Sequence, residues 1–278
     1  MDKEKATLFK GSDHSSLYKR FRPSPPEEMI LYLNSLVQTE KNQITSPSLA
    51  IDVGCGSGQC TELLAPFYHE VIGYDVSETQ IQEARGKNGL KNVKYVVSSA
   101  EKLALSDSSV DLITCCQSFH WFNAELFLKE AERLLKPGGV LALIAQEVPN
   151  VSKDGASQQL NGLCKRFRDE FKTGKLNEFW KSEANRIEDG YSDVKLPFNY
   201  VIRKTFVNTV PVTGYDVIGF LDSWSCVQTM RRKNPQLTEK VFNDLKTELA
   251  QCCNCTVDQV ESTEMALVYD YSLLIGRK

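Results

Sequence analysis

Leu49-Ala50-Ile51-Asp52-Val53-Gly54-Cys55-Gly56-Ser57-Gly58 is the stretch that decides the fold. Ala50, Ile51 and Val53 form a short apolar run that reads as a buried strand. Glycines at 54, 56 and 58 let the backbone turn tightly and leave no side chain between it and a ligand. Gln59 to Leu64 has helical character, so the first backbone N–H groups of a helix point into the crevice above the strand. An anionic or hydrogen-bond-accepting group suits that place. The spacing departs from the dinucleotide fingerprint G-x-G-x-x-G, because position 59 is Gln. Asp52, ahead of the first glycine, suits a ligand carrying an ammonium group better than a pyrophosphate, which it would repel.

Working outward, Glu70 to Asp75 reads as a second strand, with Asp75 at its C-terminal end, where ligands bind in an open α/β sheet. A carboxylate about 20 residues past a glycine turn accepts both ribose hydroxyls, and this fits the adenosine of either NAD or S-adenosylmethionine. Ser77 caps a helix over 78–87, and Val93 to Val97 is a third strand. Leu112 to Cys116 is a fourth strand, ending in Gln117-Ser118-Phe119-His120-Trp121-Phe122. Asn123 caps a helix that Pro137-Gly138-Gly139 ends, and Val140 to Ile144 is a buried fifth strand. Five strand–helix units in this order imply a parallel, doubly wound sheet.

These residues together resemble the class I S-adenosylmethionine-dependent methyltransferases. Asp52, Gly54, Gly56 and Gly58 match the family's first motif, and the run Leu135-Lys136-Pro137-Gly138-Gly139-Val140-Leu141 matches another landmark. The His120-Trp121 pair and the Tyr18-x-x-x-Arg22-Pro23 segment are similar to the small-molecule branch related to trans-aconitate methyltransferase. The resemblance implies a Rossmann-like seven-stranded sheet in the order 3-2-1-4-5-7-6, its last strand antiparallel, with a helical cap subdomain. It implies S-adenosylmethionine as cofactor and S-adenosylhomocysteine as product. Tyr18 and Arg22 become lid residues near the methionine end, Ala100 and Glu101 meet adenine, and Gln117 joins the cofactor site. Ser99 stands where many members carry Asp. His120 is then a pocket-lining residue or a base, beside Trp121. The branch methylates small carboxylic acids, which want a cation; Arg22, Arg203, Arg231 and Arg232 are candidates, with Arg203 and Trp224 assigned to the substrate.

The rest of the chain bounds the function. A length of 278 residues suits one domain, divided as 1–48 N-terminal arm and helix, 49–149 cofactor-binding core, and 150–278 cap helices and closing strands. A helix is expected from Pro26 or Glu27, a strand over 201–207, helices over 216–232 and 237–249, and a closing strand over 265–276. The net charge of −3 argues against nucleic acid as a partner. The polar start Met1 to Lys5 lacks a signal-peptide run, and no apolar stretch reaches membrane-spanning length, so a cytoplasmic monomer acting on a small molecule is expected. Nine cysteines read as reduced thiols, and Cys252-x-x-Cys255 lacks the second ligand pair that a zinc site needs. The expected activity is methyl transfer to a carboxylate oxygen. The alternatives are N- or C-methylation of another metabolite, a catalytically silent binding module, or a nicotinamide oxidoreductase, which Asp52 and Gln59 disfavour.

Overall fold

The computed structural model describes residues 20–38, 49–87 and 89–278; Tyr18 lies outside them. The first helix that lies wholly within the described residues is α1 (Glu27–Gln38), whose Met29, Ile30 and Leu33 are fully buried on one face. Then β1 (Leu49–Val53) runs through the glycine turn into α2 (Gln59–Leu64), β2 (Glu70–Asp75) into α3 (Glu78–Lys87), and β3 (Val93–Val97) follows. Residues 98–109 hold no helix, so the β3 to β4 (Val110–Cys116) crossover is a loop, where five strand–helix units were expected. α4 (Ala124–Leu134) leads without a break into β5 (Leu135–Gln146).

β1 pairs in parallel with β2 and β4, β2 with β3, and β4 with β5. Strand side chains alternate between faces, and the core is accordingly split in two. Ala50, Leu112, Val140 and Ala142 face a cluster that includes Met29, Leu64 and Ile81. Ile51, Val53, Ile113 and Leu141 face the other, with Phe119, Phe127 and Leu134. Covering both faces with apolar side chains is what a parallel sheet requires.

β6 (Asn150–Ser152) precedes the cap helix α5 (Ser157–Lys172), the short α6 (Asn185–Glu188) and the edge strand β7 (Tyr200–Thr213). Then come α7 (Gly214–Asp222), α8 (Ser225–Lys233), α9 (Pro235–Cys253), α10 (Val257–Val260) and β8 (Glu264–Arg277). Among the described residues the sheet has eight strands in the order β3-β2-β1-β4-β5-β8-β6, with β7 also paired to β8. β8 is antiparallel to its neighbours; β7 takes its whole length on one edge, while β5 pairs with 271–277 and β6 with 266–268 on the other. The expected position of the closing strand therefore holds, and β6 is an eighth strand that extends the line of β5. The helix expected over 216–232 is two helices, interrupted where Trp224 is extended at φ −68°, ψ 139°. Among the described residues no helix is long and apolar enough to cross a membrane.

Candidate active site

The strand ends of β1, β2 and β4 converge on the glycine turn. Gly54 N–H and Cys55 N–H both donate to the Tyr74 carbonyl, at 2.7 and 2.9 Å, which hangs the turn on β2. Gly54 lies at φ +71°, and a Cβ there would stand 2.4 Å from Ser118 Cβ; Ser118 in turn donates its hydroxyl to the Val53 carbonyl at 2.7 Å. Close approach of β4's end, rather than ligand contact alone, thus demands this glycine.

Gly54, Gly56, Asp52, Asp75, Ala100 and Gln117 line one cleft, which encloses about 1010 Å³ of atom-free space with its open mouth included. Asp75 accepts from Gly56 N–H at 2.9 Å on one oxygen and from Ser77 N–H at 2.8 Å on the other. A carboxylate has about four acceptor positions, so these two bonds fix the group and leave lone pairs for a ligand. Burial pushes the Asp75 carboxyl up from the usual range, and the backbone donors oppose that.

Asp52 is fully buried beneath the turn. Its two oxygens accept from Thr61 Oγ1 at 2.7 Å and Thr114 Oγ1 at 2.8 Å. Burial pushes its carboxyl up to about 6, against the two threonine hydroxyls, with Asp75 adding repulsion. Two more polar atoms at the cleft are buried without a hydrogen-bond partner among the described residues: Gln80 Oε1 and Gln117 Nε2. Gln117 is held at φ +56°, an uncommon region for a side chain with a Cβ, by its N–H bond to the Ile144 carbonyl at 2.9 Å.

A second cleft, enclosing about 790 Å³ on the same measure, opens beside the first. His120, Trp121 and Trp224 line it, as the sequence suggested, and Trp180, Phe220 and Glu147 join them. Four residues line both clefts: Arg22, Gln117, Trp121 and Gln146. Arg22 is oriented by its Nε–H bond to Ser223 Oγ at 3.0 Å and by the Phe220 ring, 4.8 Å from the guanidinium carbon. The Arg22 carbonyl accepts from Gln59 Nε2 at 3.1 Å, which ties the N-terminal segment to the glycine-turn helix. His120 Nδ1 stands 3.5 Å from the hydroxyl of Tyr191, a fully buried tyrosine at φ +57°.

Four expected residues are elsewhere. Arg203 lines neither cleft; its guanidinium donates to the carbonyls of Gly190, Tyr191, Ser192 and Val194, because it sits on the outer edge strand beside that loop. Gly58 also lines neither; it is left-handed at φ +92°, and a Cβ would fall 2.2 Å from the Tyr95 hydroxyl. Glu101 points away from the cleft to the Asn123 N–H at 3.0 Å and to the Ser99 hydroxyl, while its neighbour Ala100 lines the cleft. Arg231 is spent on Asp222 at 2.6 Å. Gln146 escaped the sequence reading, although its place at the C-terminal end of a parallel strand is a usable signal. Trp180 and Tyr191 carry no such signal.

Comparison with known proteins gives a consistent result. A family model described as a methyltransferase domain matches residues 51–143. A Dictyostelium discoideum protein described as a methyltransferase is 34% identical over 211 residues, covering 76% of this chain and 74% of that one. A Saccharomyces cerevisiae protein described as an S-adenosylmethionine-dependent methyltransferase is 25% identical over 264 residues, covering 87% and 88%. Among solved structures, that of a protein from Anaeromyxobacter dehalogenans, described as a type II methyltransferase, superposes with a TM-score of 0.71 at 25% identity, covering 92% of this chain and 98% of the other.

Proposed function

Because the chain belongs to the class I S-adenosylmethionine-dependent methyltransferases, we propose that it methylates a carboxylate oxygen of a small molecule. The observation that carries this reading is the junction of the two clefts. Among the described residues, the four that line both clefts, Arg22, Gln117, Trp121 and Gln146, include one cation and no carboxylate. A substrate group at that junction meets hydrogen-bond donors, and Gln117 Nε2 is buried there without a partner among the described residues. An oxygen anion is matched to such a place, and a cationic amine is repelled by it.

The first cleft fits the cofactor. Asp75 would hold the ribose hydroxyls, Ala100 would meet the adenine, and the Gly54–Gly56 backbone leaves room for the chain between them. Asp52 would face the ammonium of the methionine end, and Arg22 and Gln117, which line the same cleft, would hold that end. S-adenosylmethionine, when bound, supplies a methyl carbon activated on a sulfonium. In-line transfer requires nucleophile and methyl carbon within about 3–3.5 Å, aligned and shielded from water. The chain's part is therefore positioning: Arg22 and Gln117 orient the carboxylate, and Trp121 closes the wall. A carboxylate is already ionised near neutral pH, so no base is needed. His120 fits that account, since it lines the second cleft and not the first, where it shapes the substrate wall. The enzyme is taken to act as a cytoplasmic monomer, with neither nucleic acid nor membrane as partner.

The test uses methyl-labelled cofactor with a panel of small carboxylic acids and a panel of amines. Methyl esters release volatile label in alkali, whereas N- and C-methyl products keep it. Alkali-labile label on acids is the expected result. Alkali-stable label on amines overturns the carboxylate assignment. S-adenosylhomocysteine binding with no transfer to either panel points to a silent binding module.

A further inference from the structure

All three tryptophans of the chain, Trp121, Trp180 and Trp224, line the second cleft, although they lie far apart in the sequence. Phe220, Ile187 and Val148 complete an apolar wall. Each indole is held in place. Trp180 Nε1 donates to Asn185 Oδ1 at 3.1 Å. Trp224 packs edge-on to Phe167 and Phe220, with ring centres 6.0 and 6.1 Å away. Trp121 is tilted against His120 at 4.6 Å. Preorganised aromatic faces of this kind favour a flat apolar body and lose little conformational freedom on binding.

The charges narrow the class. Among the described residues lining this cleft, Arg22 is the only lysine or arginine, and Glu147 is the only carboxylate. A polycarboxylate would place its second anion near Glu147 without a second arginine or lysine to receive it, a cost that rises in a water-poor site. We propose that the second cleft takes a monocarboxylic acid with a flat, apolar body, clasped by Trp121, Trp180 and Trp224, its carboxylate on Arg22 and Gln117. The inference rests on the carboxylate reading above and narrows the small carboxylic acids that the resemblance implied to those with one carboxylate and a flat apolar body.

Binding separates the two readings without needing turnover. Protein saturated with S-adenosylhomocysteine is titrated calorimetrically with 2-naphthoate, with 2-naphthylmethylamine and with propane-1,2,3-tricarboxylate. The expected result is 2-naphthoate binding at least tenfold more tightly than either competitor. Trp180→Leu weakens 2-naphthoate at least fivefold and Trp180→Phe restores most of it, while both variants keep the parent's S-adenosylhomocysteine affinity, which also reports that they are folded. Tightest binding of the tricarboxylate overturns the flat apolar body and leaves the carboxylate reading standing. Tightest binding of the amine overturns the carboxylate reading itself. Heat from S-adenosylhomocysteine with none from any of the three overturns this inference, as does Trp180→Leu binding 2-naphthoate like the parent.

Discussion

At the scale of single residues, two positions in the glycine turn region do different work, and substitution separates them. Asp75 is bonded to Gly56 N–H and Ser77 N–H and lines the first cleft. Asp75→Ala removes the proposed ribose acceptor and leaves both N–H groups without their partner. S-adenosylhomocysteine affinity should drop at least about tenfold, or about 1.4 kcal/mol; unchanged affinity by calorimetry would remove Asp75 from the ribose role. Gly58 belongs to the same motif but touches neither cleft. Its left-handed backbone and the Tyr95 ring 2.2–3.0 Å from any added Cβ make Gly58→Ala a packing lesion. It should cost about 2 kcal/mol or more in urea denaturation. The folded fraction should bind S-adenosylhomocysteine within about threefold of the parent at the binding energies involved. A large affinity loss with unchanged stability would return Gly58 to the binding set. A shared motif therefore does not mean a shared duty: of the four motif residues Asp52, Gly54, Gly56 and Gly58, the first three line the cleft and the last supports the floor under it.

At the scale of elements, the cleft depends on a loop that has no helix to brace it. Residues 98–109 carry Ala100 to the cleft, and α4 secures them through the paired side chains of Arg133 and Glu130. Arg133 donates to the carbonyls of Leu103 and Leu105 and to Asp107, and forks onto Glu130, which itself accepts from Leu103 N–H at 2.7 Å. Arg133→Ala should destabilise the protein by about 2 kcal/mol, the range for bonds to a charged group. Arg133→Lys should recover less than half of that, because an ammonium cannot form the fork; full recovery in urea denaturation would show that charge alone mattered. The same scale explains what was legible in advance. β1 and β2 are largely apolar runs with Asp52 and Asp75 near their C-terminal ends, so pattern and position both spoke for those two, while Gln117 and His120 beyond the end of β4 were legible through the family resemblance. The second cleft was mostly hidden. Trp180, Ile187 and Phe220 lie in cap segments whose packing is tertiary, and the extended break at Trp224 interrupts an apolar period that reads as one helix. Arg203 misled because a cation on an alternating edge strand carries no mark of which neighbour it meets, and here it caps loop carbonyls.

At the scale of the whole molecule, Asp52 sets stability against binding. It joins β1, α2 and β4 through Thr61 and Thr114 at the centre of the sheet, and it is fully buried. Its carboxyl is raised to about 6 from 3.8 by burial. Between those values the folded state holds a proton that the unfolded chain has released, so stability falls as pH rises through the window and the loss is complete above it. A gap of this size corresponds to at most about 3 kcal/mol. Asp52→Asn keeps the shape and can still bond both threonine hydroxyls, but it has no charge to desolvate. The variant should therefore match the parent below pH about 4 and exceed its thermal stability above pH about 7, with the difference opening between. A carboxylate retained at such a cost needs a use, and the proposed use is the ammonium of the methionine end. Asp52→Asn should accordingly bind S-adenosylhomocysteine at least about tenfold more weakly near pH 7. Greater stability together with weaker binding identifies a charge kept for the ligand. Greater stability with unchanged binding would show that the ammonium lies elsewhere, and equal stability at every pH would show that the buried carboxyl is not raised.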